Sequence, residues 1–300
     1  MNDIFVSIAS YRDEFLPFTI ESALRNARFP ENLTFGICWQ AEDGENLDAY
    51  LGDPRFRILK YPYWESGGYG WSRAQVQKLY RGERYHLLLD SHSCLAKDWD
   101  TNLIAQLESK PSSKPLLTTS SPPFTLNEKR EVVIPWKGTE RDGVPLLECN
   151  QKSPVGWIDI QMSAARSPGP NEPTYLMCCN FVFTHGRWIV DVPEDPGMIN
   201  ACHESALAVR SYTHGYDMFL PDEIQVWHLE YHNYAEGYRR RVWETKSTAW
   251  QHEQTEKTLK RIHLLIYGKG DPRMLGDYGP GTVRSVEEWA KKAGIDRHRI

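Results

Sequence analysis

The chain has 300 residues, 40% hydrophobic and 25% charged, which is ordinary globular composition with room for one large α/β domain or two small ones. A formal net charge of −5 removes any global attraction to nucleic acid. No apolar stretch approaches the ~20 residues of a membrane span, and Met1-Asn2-Asp3-Ile4-Phe5-Val6 lacks the basic-then-apolar plan of a signal peptide. Six cysteines (Cys38, Cys94, Cys149, Cys178, Cys179, Cys202) show no paired CxxC spacing, so they read as buried thiols of a reducing compartment, the cytosol by default.

Ile4–Ala9 reads as a strand that enters a loop through Ser10-Tyr11-Arg12-Asp13. Leu16, Ile20, Ala23, Leu24 and Ala27 then recur at helical spacing. Leu33–Trp39 and Phe56–Leu59 are the next two strands, which makes a βαβ start with a right-handed crossover. The glycine-rich run Ser66-Gly67-Gly68-Tyr69-Gly70 opens a helix bearing Val76, Leu79 and Tyr80. The apolar run Tyr85–Leu89 is dense enough for a strand buried on both faces. A helix is expected around Trp99–Leu107 and a strand over Pro115–Thr119. From Ser121 to Pro173 periodicity fades, and an irregular excursion is expected that includes a lid or acceptor loop. Tyr175–Cys179 and Phe181–Phe183 read as strands, Glu204–Tyr212 as a helix and Ile224–His228 as a strand. A charged helical tail follows from Asn233.

Asp90-Ser91-His92 ends the buried strand. Open α/β sheets bind ligands at the carboxyl ends of their strands, and one intervening residue puts a carboxylate and an imidazole within reach of one divalent cation. Such a cation suits the diphosphate of a sugar nucleotide. Asp296-Arg297-His298 repeats the spacing but follows no strand. His228, at the end of a late strand, is the natural third ligand. His228 and His232 also form an HxxxH pair, but the zinc-hydrolase motif needs a helix and a glutamate directly after the first histidine. Here a β-rich run precedes the pair and Glu230 is misplaced.

The Gly67–Gly70 loop resembles a phosphate cradle, because backbone N–H groups at a helix start attract anions. Arg73, one turn in, would add a fixed positive charge, and its alternative is a surface salt bridge. Glu204 either complements a helix dipole or faces the sugar or acceptor as hydrogen-bond acceptor or general base. Arg239-Arg240-Arg241 reads as a solvated helix face. Eleven Trp and fifteen Tyr supply aromatic faces that suit sugars and bases as well as a core.

With Asp90-Ser91-His92, the run Phe5–Asp13 and Gly70-Trp71-Ser72-Arg73 in place, the chain resembles the glycosyltransferase family typified by the N-acetylglucosaminyltransferase that modifies hydroxyproline on Skp1. Thr213–Asp217, Val226-Trp227-His228 and Tyr278–Ser285 resemble that family's downstream blocks. The resemblance implies a GT-A fold, a mostly parallel Rossmann-like α/β sheet flanked by helices. It also implies a divalent cation (Mn2+ or Mg2+), a UDP-sugar donor and retention of configuration. It assigns Asp90, His92 and His228 to the metal, and Ser10, Arg12, Gly70, Trp71, Arg73 and Asp90 to the donor. Glu204 takes the catalytic acidic position. Cys202-His203-Glu204 stands where the family often has Gly-Glu-Glu, which bears on acceptor and sugar choice.

The expected layout is a glycosyltransferase domain over 1–232, with 121–173 an irregular insertion, and a helical extension over 233–300 packing on it. The expected activity moves GlcNAc or a related hexose from UDP to a hydroxyl of a protein, glycan, small molecule or nucleic acid. Two alternatives share the fold: a nucleotide-sugar hydrolase or pyrophosphorylase, and a degenerate UDP-sugar-binding module.

Overall fold

The computed structural model describes residues 3–135, 143–151, 158–169, 171–199, 202–229 and 240–299. In chain order the first half comprises β1 (Ile4–Tyr11), α1 (Leu16–Asn26), β2 (Leu33–Ala41), β3 (Phe56–Pro62), α2 (Tyr69–Gln77), β4 (Tyr85–Asp90), β5 (Ser93–Leu95), α3 (Trp99–Glu108) and β6 (Pro115–Thr118). Then come β7 (Pro123–Leu126), β8 (Val132–Val133), β9 (Val144–Asn150), β10 (Asp159–Arg166), β11 (Phe181–His185) and α4 (Trp188–Asp191). The remainder is α5 (His203–Thr213), β12 (Asp217–Phe219), β13 (Val226–Leu229), α6 (Thr248–Leu265) and α7 (Val286–Ala293).

A seven-stranded sheet in the order β12-β6-β11-β4-β1-β2-β3 forms the centre. β3, β2, β1 and β4 are mutually parallel, β12 and β6 are parallel to each other, and β11 runs antiparallel between β4 and β6. Alternation along β1 fills both faces, as period-2 geometry requires. Ile4, Val6 and Ile8 join Leu87, Leu89, Leu103 and Leu107 on the α1/α3 side. Phe5 joins Leu88, Val182, Leu207 and Val209 on the α5 side. Ile262 and Leu265 of α6 and Trp289 of α7 pack into that second cluster. The expected double burial of β4 holds, since Tyr85 to Leu89 are at most 2% exposed.

Two later readings need correction. Tyr175–Cys179 is not a strand. Its apolarity reflects burial, with Leu176, Met177 and Cys179 inside the core, while its backbone bonds to side chains instead of a ladder. The Cys178 amide donates to Thr118 Oγ1 (3.1 Å) and the Cys179 amide to Glu204 Oε1 (2.7 Å). Asp217–Phe219, read only as part of a motif, is the edge strand β12. The described part of 121–173 is richer in strands than expected, with β7 and β8 pairing and β9 and β10 pairing. The late blocks noted in the sequence fasten to one another. Gly281 donates its amide to Thr213 Oγ1 (2.9 Å), and Arg284 pairs with Asp217 (2.6 Å).

Candidate active site

β1 and β4 are parallel neighbours, so their carboxyl ends open on the same edge of the sheet. After Asp90 the chain passes through Ser91 and His92 into β5. That strand pairs antiparallel with β13 in a second, four-stranded sheet, with His228 opposite Ser93. The Leu229 amide donates to the His92 carbonyl at 2.9 Å. This small sheet brings His228 to the end of the main one. His92 Nε2 and His228 Nε2 are 2.8 Å apart, and Asp90 Oδ2 lies 3.5 Å from His228 Nε2 and 3.9 Å from His92 Nε2. Among the described residues these three form a group whose ligand atoms all lie within 4.8 Å of one another. Neighbouring ligands on a cation with ~2.1 Å bonds stand about 3 Å apart, so one carboxylate and two imidazoles here fit a divalent transition-type ion. Burial pushes the Asp90 carboxyl up. The hydrogen bond from His228 and the charges of His92 and Arg73 outweigh it and hold the group well below the usual carboxylate range.

The orientation of His92 is set by Asp13, a residue that the sequence reading named only as loop. Asp13 is buried, and its Oδ2 lies 2.6 Å from His92 Nδ1. Ser91 Oγ donates to the same oxygen (2.6 Å), and the Phe15 amide donates to Oδ1 (3.0 Å). A carboxylate only accepts, so Nδ1 carries a proton and Nε2 faces Asp90 and His228, where it would offer its lone pair to a bound cation. Arg12 precedes it with a left-handed φ of 48°, which turns the chain off β1 and drives Asp13 inward. The available signal was topological, because Asp13 follows the strand adjacent to the one that ends in Asp90.

Arg73 does stand beside the cluster. It is 5% exposed, and its Nη2 donates to Asp90 Oδ1 (3.3 Å) and to the Cys179 carbonyl (3.0 Å). Burial opposes its charge, but Cys179, Asp90, Glu194 and Glu204 around it raise its pKa above the ordinary value. This is an interior ion pair and not the surface salt bridge of the alternative reading. Arg73, Asp90 and Glu204 line one cavity of about 240 Å³ together with Tyr69, Cys178, Cys179, Asn180 and His203. Burial lifts the Glu204 carboxyl above its usual value, against the Cys179 amide and Arg73. His203 Nε2 is held by Glu194 at 2.5 Å.

The remaining sequence candidates sort differently. Arg12 faces the neighbouring cleft, bonded to Glu42 and lying over the Tyr63 ring at 4.5 Å. Ser10 is fully buried, with an Oγ that finds no partner among the described residues. Trp71 packs on Tyr61 with ring centres 5.0 Å apart and does not line the cleft that Asp90, His92 and Arg73 border. The cradle expected of the Gly67–Gly70 loop is committed elsewhere, since the Tyr69 and Gly70 amides donate to the Ile199 (3.2 Å) and Met198 (2.9 Å) carbonyls. Gly70 is needed for that approach, because a Cβ there would come 2.2 Å from the Asp195 carbonyl oxygen. Gly70→Ala is therefore expected to cost about 1–3 kcal/mol by overpacking, read as a lower melting temperature. An unchanged melting temperature with weakened UDP binding would return Gly70 to the donor. Arg240 and Arg241 are not helical and line the cleft with Asp90 and His92, contrary to the expected solvated helix face. Arg239, Glu230 and His232 lie outside the described residues, while His228 sits on a strand, against the helix that an HxxxH zinc site needs.

The sequence model of a family described as Glycosyltransferase (GlcNAc) matches residues 3–51 and 47–299. The chain belongs to this glycosyltransferase family. That family is described by glycosyl transfer, the activity expected from the sequence. Among solved structures it resembles GalNAc-T7 with UDP, GalNAc and Mn2+, at a TM-score of 0.65 and 13% identity, over 98% of this chain and 57% of that one. The chain thus spans a little over half the length of that enzyme, and the likeness establishes the GT-A fold. S. aureus TarS 1–349 aligns at a TM-score of 0.46 and 13% identity, over 89% of this chain and 74% of that one. Its complex with UDP-GlcNAc aligns at 0.47 and 12%, over 92% and 78%. A search of curated protein sequences returned no match. No helix among the described residues is long and apolar enough to cross a membrane.

Proposed function

We propose that this glycosyltransferase uses a UDP-sugar, carrying GlcNAc or a related hexose, and transfers the sugar to an acceptor hydroxyl with retention in a reaction dependent on a divalent cation. The observation that carries this is the convergence of Asp90, His92 and His228 beside the cavity of Arg73 and Glu204. The GT-A relative GalNAc-T7, solved with UDP, GalNAc and Mn2+, supports the same combination. Kinship with the enzymes typified by the Skp1 hydroxyproline N-acetylglucosaminyltransferase belongs to the proposal. So do a cytoplasmic setting, supported by six free thiols, and a division into a domain over 1–232 and an extension over 233–300.

Asp90, His92 and His228 would hold Mn2+ or Mg2+, which when bound supplies charge neutralisation to the diphosphate leaving group. Asp13 keeps the His92 lone pair aimed at that position. Arg73 fixes Asp90 and adds positive charge close to where the departing UDP gathers negative charge. Glu204, pinned by the Cys179 amide, faces the transferred sugar. In a retaining reaction the acceptor attacks from the face that UDP leaves, and a β-phosphate oxygen receives its proton, so Glu204 positions groups and is not the required base.

Screening UDP-sugars with manganese and with chelator, read by mass spectrometry, tests the donor and the metal. Turnover that chelator leaves unchanged would remove the cation from the account. Glu204→Gln is expected to keep measurable transfer and near-normal UDP affinity, and the product to keep the donor's anomeric configuration by proton NMR. An inverted product, with a variant that binds donor and transfers nothing, would make Glu204 a general base of the kind that contributes about 10²–10⁴-fold.

A further inference from the structure

The cavity beside the cluster holds an unassigned polar group. Asn180 follows the buried Tyr175–Cys179 segment and ends the turn into β11, where the Phe181 amide donates to the Cys178 carbonyl at 3.2 Å. Its carboxamide orientation is dictated by its surroundings. The Ser121 amide donates to Asn180 Oδ1 (3.1 Å), and the Cys178 thiol donates to the same oxygen (3.3 Å). A backbone N–H only donates, so the atom that the Ser121 amide meets is the oxygen and the other branch is the NH2 group. Among the described residues that NH2 group has no hydrogen-bond partner, and Asn180 lines the cavity.

Glu204 lines the same cavity and is equally fixed. Its Oε1 accepts from the Cys179 amide at 2.7 Å, and it also interacts with the Cys178 thiol. Cys178 therefore stands between the Asn180 oxygen and the Glu204 carboxylate and ties both to one wall of the cavity. Arg73 and Asp90 close the same wall. A wall of donor, acceptor, cation and carboxylate, with no large apolar side chain except Tyr69, suits neighbouring ring hydroxyls. Each hydroxyl can accept from Asn180 and donate to a carboxylate.

We propose that Asn180 determines specificity for the donor sugar, its Nδ2 donating to a ring hydroxyl whose neighbour is read by Glu204. This rests on the UDP-sugar reading above and extends it to the stereochemistry of the sugar. A fixed donor and a fixed acceptor on one cavity discriminate epimers, because inverting one carbon swings its hydroxyl away and leaves one of them unpaired.

The test is binding of UDP, UDP-GlcNAc and its 4-epimer UDP-GalNAc by competition calorimetry with manganese present. Asn180→Asp keeps the oxygen that serves the Ser121 amide and replaces only the NH2 group, so the local fold has its acceptor. Asn180→Ala is the second variant. Wild type is expected to separate the two epimers by about 10-fold or more, the worth of one hydrogen bond to a fixed partner. Both variants should bring that ratio to within about 3-fold while leaving UDP affinity unchanged. Wild-type protein that binds both epimers equally, or variants that keep the full preference, would overturn the role of Asn180 alone. Wild-type protein that binds no uridine nucleotide would overturn the donor reading and this inference with it.

Discussion

Asp13→Ala is expected to cost this protein about 3–5 kcal/mol, the usual cost of removing one partner of a buried pair. The loss leaves the His92 Nδ1–H, the Ser91 hydroxyl and the Phe15 amide without their common acceptor. Thermal or urea denaturation reads the stability. Asp13→Asn is the more informative variant, because it keeps an acceptor of the same shape and removes the negative charge. It should fold and still bind Mn2+ about 10–100-fold more weakly, as other partners of metal-bound imidazoles do when changed. Electron paramagnetic resonance of free manganese measures this without any turnover. Unchanged manganese affinity in folded Asp13→Asn would show that His92 needs no help in presenting Nε2.

Arg73→Met is expected to have the second largest effect. The guanidinium is buried, joins Asp90 to the Cys179 carbonyl, and faces Glu194 and Glu204 as well. Without it, the buried Glu194 and the half-buried Asp90 and Glu204 lose their shared cation, and a cost of about 3 kcal/mol is expected. UDP affinity should fall along with stability. Arg73→Lys should restore only part of either, since the shorter and more strongly hydrated ammonium must give up more water to reach the place where Nη2 serves both acceptors. A lysine variant with wild-type stability and UDP affinity would reduce the role of Arg73 to simple charge.

What was legible in the sequence followed local pattern. The run Tyr85–Leu89 announced β4 because a strand buried on both faces has no polar alternation, and Asp90-Ser91-His92 stood out by following it. The same apolarity misled at Tyr175–Cys179, where burial comes without ladder pairing because Thr118 and Glu204 side chains take the backbone bonds. The contact of His228 with His92 spans 136 positions and is made by the small sheet. Sequence could name His228 as a candidate but could not supply that sheet. Asp13 was named without a role, and Asn180 went unremarked, for a related reason. Each is an ordinary loop residue until parallel strands or a buried turn place it against the site. The glycine-rich loop failed in the opposite direction, since its motif was visible while the carbonyls of Met198 and Ile199 that occupy its amides were not.

The central claim is that Asp90, His92 and His228 form one cation site that serves the donor. Titration of UDP into wild type, His92→Ala and His228→Ala, each with manganese and with chelator, tests it most directly. The account predicts that manganese raises the UDP affinity of the wild type, that neither variant shows the increase, and that both variants remain folded. Variants whose UDP affinity rises with manganese as much as the wild type's would contradict it.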